Sequence, residues 1–475
     1  MLFDSLDFAL FLPIVLTIYW LFHKSLKAQN IIIVCASYIF YGWWDWRFLW
    51  IILFTTLVDY LVGLKLAATK SPAKRKSLLL FSLLTNIGFL LFFKYFNFFI
   101  NEFVKSFDFF GKTIETSTLY IIIPIGISFY TFQTMSYTID IYKKEILPTK
   151  NIIAFTAFVS FFPQLIAGPI ERASNFLPQF LKPRGVNRPY IVDGIRQILW
   201  GLFKKMVIAD NISTFVSQIL DNPINETGSS LFFAIFLYCI QLYADFSGYS
   251  DIAIGTARLF GFNLTQNFSF PLFARDISDY WRKWHISFSN WLRDYIYYPL
   301  GGSRGSILFQ LKNLYITFII SGLWHKFSLT FLIWGVLNAS YFLPIIIKNR
   351  KRKARKDYKE KDTIIKYARD VSVTFLLVMI TRFFSRADDL NESINWIKTV
   401  ISGSLFTIPK MLETHLTILV LFFLVIEWFG KNKKYAIENL DLLKSRSLRF
   451  GFYYALIFMI FYFSGIRQDF IYFQF

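Results

Sequence analysis

Imidazole is the side chain whose unperturbed pKa suits proton transfer near neutrality, and the chain holds four histidines. His23 and His415 fall at the ends of apolar segments beside loops, where a solvated or interfacial position satisfies them. His285 and His325 instead sit in polar stretches wedged between apolar runs, where a ring without a partner is costly. The first stretch, Asp276 to Gly302, contains Asp279-Tyr-Trp-Arg-Lys-Trp-His285-Ile-Ser; the second is Ser321-Gly-Leu-Trp-His325-Lys. On spacing alone the two rings are either an acid–base pair or structural, hydrogen-bonded histidines. No third Cys, His or carboxylate completes a metal-ligand spacing, so no metal is expected.

A second polar cluster is Gln241-Leu-Tyr-Ala-Asp245-Phe-Ser-Gly-Tyr-Ser-Asp251. Asp245 and Tyr249 share a helical face at i, i+4, and Ser247, Gly248 and Ser250 are small enough for close helix approach. Asp251 is six residues from Asp245, so the carboxylates do not stack on one face. They read either as functional acids or as buried groups hydrogen-bonded to fix packing. Read as one helix, residues 276–302 place Trp281, Trp284, His285, Phe288, Ser289 and Leu292 on one side, an amphipathic aromatic element that the Gly301-Gly302 and Gly305 breaks end.

The elements that must position these groups are membrane helices. Of 475 residues, 55% are hydrophobic and only 17% charged, with a mean hydropathy of +0.45, outside the soluble range. Apolar segments long enough to cross a ~30 Å hydrocarbon core lie at 46–68, 77–100, 118–139, 230–258, 327–347, 364–385 and 415–430. Shorter candidates lie at 7–22, 30–44, 307–323 and 450–466, giving about eleven spans in an all-α integral membrane bundle. Segments 152–170 and 394–407 read as re-entrant, and 190–220, with Lys204 and Lys205 in its middle, as interfacial. Cys35 and Cys239 read as small core residues. No internal repeat and no separate soluble domain is visible, so residues 1–475 are expected to form one domain.

The net charge of +20 is not spread over an exposed face, as a nucleic-acid binder would require. It falls in four loops, Lys70–Lys76, Lys182–Arg188, Lys348–Lys361 and Lys431–Arg449, which together hold 22 basic and 4 acidic residues. Such loops mark the cytoplasmic side; the 348–361 run is also a candidate docking site for an anionic donor or lipid. With Asp4 and Asp7 ahead of the first apolar run and Lys24 and Lys27 after it, both termini are expected outside, His285 toward the inner side and His325 toward the outer half.

Five separated blocks then resemble one family. Pro124-Ile-Gly-Ile-Ser-Phe-Tyr, Phe162-Pro-Gln-Leu-Ile-Ala-Gly-Pro, Asp245-Phe-Ser-Gly-Tyr-Ser-Asp251, Trp281-Arg-Lys-Trp-His285-Ile-Ser with Trp291-Leu-Arg-Asp-Tyr and Pro299-Leu-Gly-Gly, and Ser321-Gly-Leu-Trp-His325 are similar to the bacterial membrane-bound O-acyltransferases. Within them, the alginate O-acetylation and peptidoglycan O-acetyltransferase group is most similar. The resemblance implies a helical fold around a central tunnel, with a catalytic His at His325 and a supporting His at His285. It also implies an acyl, in particular acetyl, group passed from a cytoplasmic thioester such as acetyl-CoA, with no bound cofactor, to a hydroxyl of an envelope polysaccharide or to an accessory periplasmic acetyltransferase. The setting it implies is the bilayer of the cell inner membrane. Trp281, Trp284, Ser289, Asp245, Tyr249, Trp324 and Lys326 are the candidates for substrate contact, Lys326 standing where the family usually has Gly. The competing class is a transporter or flippase of envelope intermediates, whose polar groups would relay protons.

Overall fold

The structure, a computed structural model, describes residues 1–109, 123–166, 168–223, 226–354, 363–411, 413–440, 445–464 and 468–471. Among them every regular element is helical. Most of the basic run 348–361, part of 431–449 and the start of the apolar segment 118–139 lie outside the described side chains. Five helical runs are long and apolar enough to cross a membrane: Leu26–Ala68, Pro72–Ile100, Gly228–Leu259, Ile307–His325 and Leu329–Lys348. Shorter apolar helices are Leu6–Leu21, Ile152–Leu165 and Thr414–Gly430. Two expected spans, 30–44 and 46–68, belong to one helical run interrupted at Asp45, whose extended backbone caps a short turn, with its side chain accepting from Arg47 N at 2.9 Å.

The chain divides into two compact units. The first, residues 1–194 and 256–265, contains α1 (Leu6–Leu21), α2 (Leu26–Asp45), α3 (Leu49–Ala68), α4 (Pro72–Phe109), α5 (Ile127–Lys143) and α6 (Ile152–Ser160). A polar network ties three of them: buried Asp59 on α3 accepts from Ser82 Oγ at 2.6 Å and Asn86 Nδ2 at 2.9 Å on α4, and Ser82 and Asn86 bond Thr138 and Thr134 on α5. In an apolar surround such groups must be satisfied within the protein. The break after α6 meets the same demand: Ser37 Oγ accepts from Phe162 N and Gln133 Nε2 donates to Phe158 O. The 152–170 segment is thus a broken helix enclosed by protein.

Two basic residues of the loops are built into this unit. Arg75 donates to the carbonyls of Leu66, Ile141 and Tyr142, closing the carbonyl ends of α3 and α5. Arg184 is buried, with Nε on Tyr19 Oη at 2.6 Å, another nitrogen on Asn30 Oδ1 at 2.6 Å and its guanidinium over the Phe262 ring. Cys35 is exposed on α2, against the expectation of a core position; Cys239 is buried.

The second unit, residues 195–255 and 266–475, receives α7 (Arg188–Leu202), which passes into a π-helical turn over Phe203–Ala209 and then α8 (Asp210–Leu220). It continues with α9 (Gly228–Leu259), α10 (Ile277–Lys283), α11 (Ile286–Leu292), α12 (Ile307–His325), α13 (Leu329–Ser340), α14 (Leu343–Ala354), α15 (Ile364–Arg386), α16 (Leu390–Val400), α17 (Thr414–Gly430) and α18 (Arg446–Phe463). The widened π turn aims two consecutive lysines inward. Lys204 pairs with Asp251 at 2.6 Å; Lys205 pairs with Asp210 at 2.7 Å and Asp245 at 2.9 Å. The two lysines expected at an interface in 190–220 are therefore buried, compensated by Asp245 and Asp251 of α9 and by Asp210, while Ile195 on the same segment stays exposed. The small residues of α9 act as expected: a Cβ on Gly248 would lie 2.9 Å from Gly201 O, so the two backbones meet directly. The 394–407 segment is not enclosed, with Ile401 and Phe406 exposed.

Candidate active site

The stretch read as one helix is broken at His285. α10 ends at Lys283 and α11 begins at Ile286, and His285 between them has φ +41° and ψ +55°, a left-handed conformation unusual for a residue with a Cβ. The break is held from outside the element. The chain at 267–269 runs beside it, with Ile286 N donating to Asn267 O at 2.8 Å and Ser269 N to Lys283 O at 3.0 Å. The amphipathic pattern is local, whereas these bonds come from residues about one and a half dozen positions earlier, and they prevail.

Asn267 also fixes the ring. It is fully buried, and its Oδ1 lies 3.0 Å from His285 Nδ1 and accepts from Ser287 Oγ at 2.9 Å, while its Nδ2 donates to Ser250 Oγ at 3.0 Å. A carbonyl oxygen only accepts, so Nδ1 carries the proton and Nε2 the lone pair. Burial among the rings of Phe246, Phe268 and Phe288 pushes the imidazole down to about 3, so it is neutral at physiological pH.

His325 is the last residue of α12 and is half-buried. α12 and α13 pack backbone to backbone: a Cβ on Gly335 would lie 2.6 Å from Phe318 O, and one on Gly322 would collide with Phe331 O. That contact explains the glycine of the Ser321-Gly-Leu-Trp-His325 block, because it seats His325 against Phe331 and Trp334, ring centroids 6.0 and 5.7 Å away. One ring joins the histidines: Phe288 lies 5.1 Å from His285 and 6.1 Å from His325, and 4.3 Å from Trp324.

The two histidine rings come near each other within the second unit, with Phe288 between them. Residues 273–284 run along α15, from Tyr367, whose Oη donates to Phe273 O, to Arg382, which donates to Tyr280 Oη at 2.9 Å. Fifteen helical residues are about 22 Å, so the segment climbs through this unit to bring His285 beside α12.

The other candidates divide into four groups. Trp324 and Trp284 flank the histidines; Trp284 stacks on Tyr280 and meets Phe268 edge to face. Ser289 donates from Oγ to Trp284 O and from N to His285 O, bracing the turn, and Lys326 caps α12 through its N–H on Gly322 O. Trp281 packs on Phe318 and Trp334. Asp245 and Tyr249 gather instead around Lys205 and residues 468–471: Asp245 Oδ2 accepts from Ile471 N at 2.8 Å, Lys205 Nζ donates to Gln468 O, and the Phe470 ring lies tilted against Tyr249, centroids 4.4 Å apart. Phe470 also touches Phe246, the ring against His285. Asn267 carried no sequence signal, since neither its type nor its spacing to His285 forms a motif; Ser250 and Phe288 were visible only as a small packing residue and a member of the aromatic face. Among the described residues no group of three or more His, Cys, Asp or Glu side chains is placed to hold a metal.

The description of the membrane-bound O-acyltransferase family matches residues 39–374, a stretch that includes both histidines and Asn267. The chain belongs to that family. A membrane-bound O-acyltransferase is an enzyme with a multi-pass helical body, which decides against the transporter alternative. Relatives include a probable alginate O-acetylase of Pseudomonas aeruginosa, 36% identical over 439 residues that make up 90% of this chain and 80% of the relative. A peptidoglycan O-acetyltransferase of Helicobacter pylori is 33% identical over 78% of this chain and 73% of its own. A teichoic acid D-alanyltransferase of Bacillus subtilis is 27% identical over 45% and 57%.

Proposed function

We propose that the protein transfers an acetyl group from a cytoplasmic thioester, acetyl-CoA, to a hydroxyl of an acidic or neutral envelope polysaccharide at the outer face of the cell inner membrane, or to an accessory acetyltransferase that hands the group on. The relatives named for acetylating alginate and peptidoglycan support the polysaccharide acceptor; the basic loops support a donor from the cytoplasmic side. The observation that carries the reading is the placement of two imidazoles on either side of one phenyl ring.

In this mechanism His325 takes the hydroxyl proton as the oxygen attacks the thioester carbonyl. The tetrahedral intermediate collapses with loss of the C–S bond, and the proton passes to the departing sulfur, giving the O-acetyl ester and the free thiol. His285, neutral with Nε2 as its lone-pair atom, orients a hydroxyl or thiol proton by accepting it. It does not donate to the oxyanion. Holding donor and acceptor end to end in a dry site contributes several kcal/mol, of the order of 7 or more, to lowering the barrier. The test is purified protein in proteoliposomes with labelled acetyl-CoA outside and oligosaccharide acceptor inside, scoring orientation separately. Labelled ester should form with the wild type and be lost with His325→Ala at normal insertion. Full labelling by His325→Ala would overturn the assignment.

A further inference from the structure

In the first unit, the joined ends of α3 and α4 enclose a cavity of about 500 Å³, lined by Lys65, Thr69, Ala73, Lys74, Ser77 and Leu78. That volume is within the range of sites that take a small ligand. Its frame is fixed. Only residues 69–71 join the two helices, the Asp59 network ties them further along, and Arg75 is turned onto the carbonyls of Leu66, Ile141 and Tyr142. Arg75 is thus engaged in structure, whereas Lys65 and Lys74 line the cavity. The local field is positive, because residues 60–101 include five Lys, one Arg and no Asp or Glu.

The lining groups divide by chemistry. The two ammonium groups only donate, and they attract a phosphate as point charges. The hydroxyl protons are committed, Thr69 Oγ1 donating to Lys65 O at 2.7 Å and Ser77 Oγ to Ala73 O at 3.2 Å, so each hydroxyl oxygen is left as an acceptor. A matching ligand therefore carries an anionic group together with hydroxyl protons. The sides of the helices that line the cavity continue as exposed apolar residues, Leu57 and Leu61 before Lys65 on α3, Phe81 and Leu84 after Lys74 on α4. From Lys65 to Leu57 and from Lys74 to Leu84 the helices run about 12–15 Å, roughly half of a ~30 Å hydrocarbon core. An anionic head, hydroxyls beside it and a tail one leaflet deep describe a phospholipid with a glycerol headgroup; free phosphate leaves the apolar strip uncovered.

We propose that this cavity binds phosphatidylglycerol from the leaflet on the side of the Lys70–Lys76 loop, the cytoplasmic one by its charge. Lys65 and Lys74 hold the phosphodiester, Thr69 and Ser77 accept from the glycerol hydroxyls, and the acyl chains lie along Leu57, Leu61, Phe81 and Leu84. The site is independent of the acetyl-transfer reading, and its test reads lipid binding alone. Purified protein in phosphatidylcholine nanodiscs receives a trace of phosphatidylglycerol with a photoreactive acyl chain, and labelled peptides are mapped by mass spectrometry. Label should appear on the Leu57–Leu61 and Leu78–Leu84 stretches, and unlabelled phosphatidylglycerol, but not phosphatidylethanolamine or soluble glycerophosphoglycerol, should compete. A lysine at an anionic membrane surface contributes about fivefold in binding, so Lys65→Gln with Lys74→Gln should lower this label by about 25-fold. Lys70→Gln with Lys76→Gln removes the same charge from the same loop without touching the cavity lining, and through screened solvent should lower it by about threefold at most. Lys74→Gln alone, at an exposed position, should cost about fivefold and serves if the double variant does not accumulate, while Lys74→Arg should keep the label. Equal loss from the two pairs would make the loop charge a topology signal only and overturn the site. So would equal labelling of these stretches by photoreactive phosphatidylcholine, or displacement by soluble glycerophosphoglycerol.

Discussion

Replacing Asn267 separates positioning from mere packing. Asn267→Leu keeps the volume but leaves the His285 Nδ1–H and the Ser287 hydroxyl without their shared acceptor. Unmet buried donors cost roughly 1–3 kcal/mol; the ring escapes that cost by leaving its native orientation, and regaining the orientation for each turnover lowers the rate by between about 5- and 150-fold. Asn267→Asp acts differently. A carboxylate at that position lies near 4 Å from the ring centre, and at an effective dielectric of about 20 the attraction is ~4 kcal/mol, or about 3 pKa units. His285, at about 3 in the native protein, would then titrate near ~6, with the apparent value belonging to the coupled pair. The direction follows from the tautomer. The native ring is neutral at every assayed pH and adds no acid limb. In Asn267→Asp the ring is protonated below about pH 6, Nε2 loses its lone pair, and activity should fall as pH drops through that value. The charged groups nearest in sequence and fold, Lys283 and Asp251, are already paired with Asp279 and Lys204 and do not account for such a limb. The assay is a pH–rate profile of acetyl transfer from pH 5 to 9. An Asn267→Asp profile that superimposes on the wild type, together with a fully active Asn267→Leu, would refute the reasoning.

Four further outcomes follow from the contacts described. His285→Ala should lower acetyl transfer and, by opening a cavity among Phe246, Phe268 and Phe288, also lower the melting temperature, whereas His285→Gln, which keeps an acceptor and most of the volume, should recover part of both losses; equal activity in all three proteins would exclude an orienting role. Lys205→Met should strand Asp245 and Asp210 and cost about 3–5 kcal/mol, read as lost accumulation in membranes, with Lys205→Met combined with Asp245→Asn regaining much of it. Gly335→Ala should separate α12 from α13, costing about 1–3 kcal/mol and reducing activity more than a matched change at exposed Val336; a melting curve and transfer assay decide. Glu171, buried with its carboxylate accepting from Thr265 N at 2.5 Å, is raised by that burial to about 7. Its ionisation penalty therefore grows, and stability falls, as pH rises from about 4.5 to 7. Glu171→Gln should flatten that window and gain about 3 kcal/mol above pH 7, measured as melting temperature against pH.

The parts of this site legible in the sequence are those whose residue type conflicts with its surroundings. His285 and His325 stood out because imidazoles interrupt apolar runs, and Gly248 because small residues allow helices to touch. The break at His285 was not legible: residues 276–292 satisfy a helical pattern, and the bonds that override it come from Asn267 and Ser269. Lys204 and Lys205 looked interfacial for a similar reason, since two of the three carboxylates that compensate them, Asp245 and Asp251, lie on α9, forty or more residues on. Arg184 was counted among solvated loop charges, yet its partners are Tyr19 and Asn30, far back in the chain. Arg382 and Asp59, by contrast, were readable in principle, because the rule that singles out the histidines applies equally to an arginine and an aspartate inside apolar helices.

The seating of residues 468–471 against Asp245, Lys205 and Tyr249 bears on the order of biosynthesis. These contacts join positions separated by more than two hundred residues, so α9 is made and inserted long before its last hydrogen-bond donors leave the ribosome. Until then Asp245 lacks the Ile471 N–H and Phe246 lacks the Phe470 ring that backs it against His285. The nascent enzyme is accordingly a late-maturing one, in which the packing behind His285 is completed only after α18 has been made, and truncations near residue 464 should yield inserted, protease-sensitive and inactive protein.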